Sequence, residues 1–283
     1  MTNTRTAAVS LCAIFIAFEA QAASYFVQPI VTVFPGAVIN GLEIGGATSR
    51  TEGYNNAPTS VNTEVDLVAG TIRGNATVGG GGLPGGASQG RFGEQVTFHD
   101  ADNTSVDMNF SFDGTVQSSA ADPNLNSYLQ ISVDAYIAIF DPSVGATASN
   151  WYDLSFGNQG DHSLFKNRAT HEFINPLQDL DEYIQDTLEA SLNVTPTQRS
   201  FDIFANLTLI ANPNMNPGIF SLDFMNTATF SIGTEPGVTY TSLSGAFLES
   251  TGVTAVPVPA TLPLLVSGLA SLFGFRRMRR RTA

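Results

Sequence analysis

The 283-residue chain has one cysteine, one tryptophan, three histidines and a single lysine. Each shortage closes off chemistry. Cys12 lies within the N-terminal apolar stretch behind the bulky Leu11, where lipoprotein processing needs a small residue. The rest of the chain therefore has no thiol for disulfides, thiolate metal sites or cysteine catalysis. His99, His162 and His171 form no His-x-x-x-His or His-Glu-x-x-His pair of the kind that sets two ligands on one helix face. His171-Glu172 offers a base with a neighbouring carboxylate and otherwise reads as a strand end. Serine is plentiful, yet no hydrolase-type elbow nucleophile is expected.

Basic residues number twelve against twenty-five acidic ones, and the basic ones are concentrated at the ends. Residues 1–22 combine Arg5 in a short n-region, an apolar stretch over 7–18 and Ala20-Gln21-Ala22, which is the pattern of a secretory signal peptide. Residues 251–256 read as a tether. From Val253 to Phe275 there is no charge, just enough for a transmembrane helix, and Arg276, Arg277, Arg279, Arg280 and Arg281 then hold the C-terminus in the cytoplasm with the body outside. The body, residues 23–250, carries six basic and nearly all the acidic side chains. Its net charge near −18, against −13 for the whole chain, argues against nucleic acid as a partner.

The order of motif, apolar span and arginine cluster over 257–283, headed by Val256-Pro257-Val258-Pro259-Ala260, resembles the PEP-CTERM type of bacterial sorting signal. The closer likeness is to its Val-Pro-Leu-Pro-Ala variant, with Val258 in place of leucine. The resemblance is confined to the tail. It implies Sec-type export, removal of the leader by signal peptidase, and an inner-membrane intermediate cut by an exosortase-like transpeptidase. The body would then pass to the envelope, cell surface or extracellular matrix. A plain C-terminal anchor is the alternative.

Within the body, short runs of period two rich in Val, Ile, Phe, Tyr and Thr alternate with Gly, Pro, Asn and Asp. Candidate strands fall at 26–34, 63–72, 94–99, 105–112, 128–140, 150–157, 171–174, 200–210, 218–224, 228–232 and 239–248. The expected fold is all-β: a sandwich of two antiparallel sheets, jelly-roll-like, with 128–140 interior because both its faces are apolar. The spacing of Leu177, Leu180, Ile184 and Leu188, behind Asn175-Pro176, predicts one amphipathic helix over 177–192 lying across the sandwich. The glycine-rich stretch 79–86 lacks the Gly-Lys-Ser/Thr of a phosphate loop and reads as a long inter-strand loop.

Three candidate sites remain. Asp100, Asp102 and Asn103, and separately Asp122, Asn124 and Asn126, put several oxygens into one turn, which suits Ca2+, although the same residues form turns without a metal. Tyr54, Trp151 and Tyr152 stand beside polar loops where an aromatic ring would contact a sugar, while the only tryptophan of a sandwich is also a natural core residue. Glu64, Asp66 and Glu94 are carboxylates on strands, but Glu64-Val65-Asp66 breaks off before a second glutamate completes a glycosidase signature. The favoured function is an exported, non-catalytic envelope or matrix protein that needs no cofactor and works alongside exopolysaccharide. A calcium-assisted carbohydrate-binding or adhesin module, and an envelope glycoside hydrolase, are the alternatives.

Overall fold

Period-two burial runs through nearly every segment of the computed structural model, which describes residues 25–34, 37–79, 85–119, 130–157, 160–174, 180–212 and 218–248. In chain order the strands are β1 (Phe26–Val33), β2 (Ala37–Asn40), β3 (Glu43–Ile44), β4 (Ser49–Asn56), β5 (Thr59–Asp66), β6 (Thr71–Gly79) and β7 (Gly86–His99). They continue with β8 (Thr104–Ser118), β9 (Gln130–Phe140), β10 (Phe165–Ile174), β11 (Leu180–Val194), β12 (Ser200–Asn212), β13 (Ile219–Gly233) and β14 (Thr239–Ser242). One 3-10 turn (Pro142–Val144) and one short helix, α1 (Trp151–Ser155), interrupt the pattern.

The strands form two antiparallel sheets. The larger runs β10-β9-β12-β7-β1-β2, with β14 on β7 and β3 on β1, and the smaller runs β11-β8-β13-β6-β5-β4. β7 organises the larger sheet. One edge pairs with β12 along its length, while the other takes β1 over Gly86 to Gly93 and then β14 over Val96 to His99. Between the sheets lie Phe92, Phe98, Phe110, Phe112, Phe201, Phe220, Phe224 and Phe230, all fully buried, with edge-on contacts such as Phe92 to Phe230 at 5.9 Å and 89°. Tyr240 of β14 donates to the Phe247 carbonyl at 3.3 Å, and Phe247 and Leu248 are buried, so the last described residues are built into the core.

Three expectations are corrected. Residues 180–192, expected in the helix over 177–192, belong to β11, paired with β8 from Leu180 opposite Ser118 to Val194 opposite Thr104. Leu180, Ile184, Leu188 and Leu192 are four apart, a spacing that a period of two satisfies as well as a period of 3.6. Ala190 and Val194, also buried, fit only the strand, as do exposed Glu189, Ser191 and Asn193. Leu188→Ala should therefore destabilise by about 2–5 kcal/mol and Thr187→Ala by under about 0.5 kcal/mol in urea titrations. Residues 63–72 are two strands: the Asp66 carboxylate accepts the Val68 and Ala69 N–H groups, and Gly70, at φ +64°, completes the turn. Residues 150–157, expected as a strand, hold α1. Of the 128–140 segment, the described part, β9, does lie between two neighbours, β10 and β12, and is buried on both faces.

The C-terminal span, the sorting motif and the signal peptide lie outside the described residues. Among the described residues no helix is long and apolar enough to cross a membrane.

Candidate functional site

Alternation along the larger sheet sends Val27, Phe92, Ile137 and Leu207 into the main core and leaves their neighbours on the outer face. Register aligns those neighbours in rows. One row runs Arg168, Tyr136, Asn206, Arg91, Gln28 across β10, β9, β12, β7 and β1. The next runs Thr170, Asp134, Thr208, Gln89, Ile30 and Asn40. A third row, of Ala138, Phe204, Gly93 and Phe26, is apolar and covered by side chains from Val144 to Phe156, forming a second core with Phe140 and Trp151. Gly93 has no side chain because the Phe26 and Phe204 rings close over it.

The two polar rows are cross-linked. Gln89 Nε2 donates to Asn206 Oδ1 at 3.0 Å and to Thr208 Oγ1 at 2.9 Å, Arg91 Nε donates to Asn206 Oδ1 at 3.3 Å, and Asn206 Nδ2 donates to Thr208 Oγ1 at 3.0 Å. Arg168 Nη2 and Thr170 Oγ1 donate to Asp134 Oδ1 at 3.0 and 2.7 Å. Gln28 Nε2 donates to Asn40 Oδ1 at 3.1 Å, but Gln28 Oε1 is buried with no partner. The result is a cross-linked layer of amides, hydroxyls and guanidinium groups in which Gln28, Asp134 and Asn206 are themselves buried.

An aromatic wall stands where α1 meets this surface. The Tyr136 ring meets Tyr152 at 5.5 Å and Phe156 at 5.3 Å, both edge-on, and the Arg168 guanidinium lies 4.9 Å from the Tyr136 ring centre. Tyr152 is 37 % exposed. Burial lowers the Arg91 guanidinium from its ordinary value, an effect opposed by the phenols of Tyr152 and Tyr136. Burial, then Asp134 and Tyr152, raise the Tyr136 phenol. Both groups keep their neutral-pH charge states.

Of the sequence candidates, Tyr152 is on this wall. Trp151 is corrected: it is 1 % exposed and stacked on Phe204 at 5.4 Å and 6°, so it supports the wall from beneath and offers no face to a ligand. Tyr54 lies on β4, the edge of the other sheet, half-buried against the main core. In the turn after β7, Asp100 and Asn103 adopt left-handed backbone (φ +57° and +56°), and Asp102 accepts from Arg199 Nη2 at 2.6 Å. Among the described residues no group of three His, Cys, Asp or Glu side chains gathers to hold a metal. Asp122, Asn124 and Asn126 lie outside the described residues.

The carboxylates considered for glycoside hydrolysis do not converge. Glu64 faces outward on the smaller sheet and pairs with Arg73 at 2.7 Å, Asp66 caps its turn, and Glu94 is on the other sheet. Sequence inspection also passes over one Gly-x-Ser-x-Gly spacing, Gly86-Ala87-Ser88-Gln89-Gly90. It lies in β7, with Ser88 buried between the sheets and bonded to Thr63 Oγ1 at 2.6 Å and the Asn62 carbonyl at 2.9 Å, so there is no exposed elbow. His99 Nε2 is 2.9 Å from Thr241 Oγ1, and His171 Nε2 is 3.4 Å from Asp186 Oδ2 without a hydrogen bond.

Sequence reasoning missed Gln28, Gln89, Arg91, Asp134, Asn206 and Thr208. Polar residues at alternate positions of β7 and β12 were the available signal, but glycines hid the first half of β7 and register alone brings the strands' residues together.

No protein-family model and no curated protein matches the chain. Among solved structures, one of TmCBM61 in complex with β-1,4-galactotriose is 9 % identical with a TM-score of 0.23, over 66 % of this chain and 88 % of that one. The enzymatically active domain of tailspike protein 4 of bacteriophage CBA120 is 11 % identical with a TM-score of 0.20, over 67 % of this chain and 20 % of that one. The chain is thus an all-β protein of two antiparallel sheets carrying a polar, aromatic-walled outer face.

Proposed function

We propose that the protein is an exported, surface-sorted, non-catalytic polysaccharide-binding component of the cell envelope or extracellular matrix, with the outer face of the larger sheet as its binding face. One observation carries this: the aligned rows from Arg168 to Gln28 and from Thr170 to Asn40, bordered by exposed Tyr152. Sugars offer hydroxyls to planar amides and C–H faces to aromatic rings, and the solvent-reached groups of this face, Arg168, Thr170, Gln89, Arg91, Thr208 and Tyr152, supply both kinds of partner over the buried Asn206, Gln28, Asp134 and Tyr136. Fixed side chains lower the entropy lost on binding. The repeated crossing of the chain between sheets from β6 to β9 and from β10 to β14 supports the jelly-roll-like reading.

The tail supports sorting. Phe247 and Leu248 are locked into the core, so only the dozen residues from 249 to 260, the sorting motif among them, separate the body from the proposed span. Fully extended, they reach about 40 Å, which keeps an uncleaved body close to the membrane. An exosortase-like transpeptidase would release it there, and no cofactor is required.

Mass spectrometry of the protein from envelope and medium fractions tests the route. A C-terminus between Val256 and Thr261 is expected, and an intact Ala283 held in the membrane would leave only a plain anchor. Affinity electrophoresis of the processed protein through polysaccharide gels tests the activity. Retardation is expected, and unchanged mobility in every gel would refute binding.

A further inference from the structure

Six lysine and arginine side chains occur among the described residues. Five of them, Arg50, Arg73, Lys166, Arg168 and Arg199, form ion pairs with carboxylates at 2.6–3.1 Å. Arg91 is the sixth. Among the described residues it has no carboxylate partner, and its one side-chain hydrogen bond is from Nε to Asn206 Oδ1 at 3.3 Å. The chain has about two acidic residues for each basic one, so counterions are not scarce. A half-buried guanidinium without one is held at a cost in desolvation. It occupies the middle of the polar row, with Asn206 and Gln28 opposite it on the two flanking strands. Gln28 is itself 6 % exposed and has its Oε1 unpartnered.

We propose that this face takes an acidic, uronate-bearing polysaccharide, and that Arg91 receives a ring carboxylate. The inference rests on the polysaccharide-binding reading and names its ligand class. A planar guanidinium donates two parallel N–H bonds to a carboxylate, which a neutral sugar cannot match. Asn206 holds Nε and so sets the direction of the free end, while Tyr152 and Tyr136 lie close enough to act on its charge. Gln89, Thr208 and Thr170 supply bonding for hydroxyls along the next row. They make a saccharide a better match than an acidic peptide, whose backbone would need a free strand edge. The body's net charge near −18 opposes a polyanion at long range, which makes the contact at Arg91 decisive for retention.

The processed protein, purified as its host leaves it, is to be titrated with polygalacturonate, with the same polymer methyl-esterified, with neutral β-1,4-galactan and with polyglutamate. Polygalacturonate should bind at least about tenfold more tightly than its methyl ester, and Arg91→Gln should remove that preference while Arg91→Lys retains part of it. The esterification comparison uses the parent protein, so it stands even if the Arg91 variants fail to fold. Equal binding of the acid, the ester and galactan would overturn the uronate inference and leave the polysaccharide reading in place. Binding to polyglutamate alone, or to none of the four, would overturn both.

Discussion

At pH 8 the Glu94→Gln protein should be more stable than its parent by about 3 kcal/mol, and at pH 4 the two should agree within about 1 kcal/mol. Glu94 is 2 % exposed on the inner face of β7, at the point where pairing with β1 has ended and pairing with β14 begins. Its Oε1 accepts the N–H groups of Gln95, Leu243 and Ser244 at 3.0, 3.0 and 3.2 Å, while Oε2 is buried without a partner. Burial pushes the carboxyl up to about 7 from its ordinary 4.5, against the opposing effect of those hydrogen bonds.

The folded state therefore holds the proton more tightly than the unfolded chain. The stability it contributes is fully present below about 4.5, falls as pH rises, and is lost once pH passes about 7. Glutamine keeps an oxygen for the three N–H donors and never ionises, so the parent's decline between those values should be missing from the variant. Urea midpoints of the two proteins across pH 4–8 provide the measurement, and parallel profiles would show that Glu94 is ionised in the fold at little cost. Glu94→Leu serves as a contrast: it strands three buried N–H groups and should be destabilised at every pH.

Legibility followed the reach of each interaction. Strands such as 200–210 and 105–112 were readable because burial is local and alternates with the pleat. β11 was misassigned because Leu180, Ile184, Leu188 and Leu192, four apart, satisfy both periods and Asn175-Pro176 imitates a helix start. Residues 150–157 gave a helix because Trp151 and Leu154, three apart, turn the same way onto the sheet. Tyr152 was legible as an aromatic beside a polar loop. Arg91, Asn206 and Gln28 were not, since they are 63 to 178 positions apart in sequence and only strand order makes them neighbours. Glu94 looked like one carboxylate among several, and its burial depends on Leu243 and Ser244 arriving from the far end of the body.

Trp151→Ala should destabilise the protein by roughly 3–5 kcal/mol, whereas Tyr152→Ala should change stability by about 1 kcal/mol or less and weaken polysaccharide binding about tenfold. The two residues are adjacent in α1 and point to different fates. Trp151 is the largest side chain of the second core, stacked on Phe204 and edge-on to Tyr152 at 6.0 Å and 87°. Its indole N–H has no partner among the described residues, so it acts through packing, and Trp151→Phe should recover much of the loss. Removing it also frees α1, whose Ser155 carbonyl accepts from Lys166 Nζ at 2.6 Å and whose Leu154 carbonyl accepts the His162 N–H at 2.9 Å. Binding by Trp151→Ala should then fall together with stability, because the wall carrying Tyr152 loses its support. Tyr152→Ala removes a ring that solvent already reaches, together with its edge-on contacts to Tyr136 and Trp151, and leaves the stack of Trp151 on Phe204 in place. Thermal melts paired with polysaccharide titrations separate the two roles. Lost binding at unchanged stability in Trp151→Ala would make Trp151 the ligand contact and place the binding surface on a different arrangement of this loop.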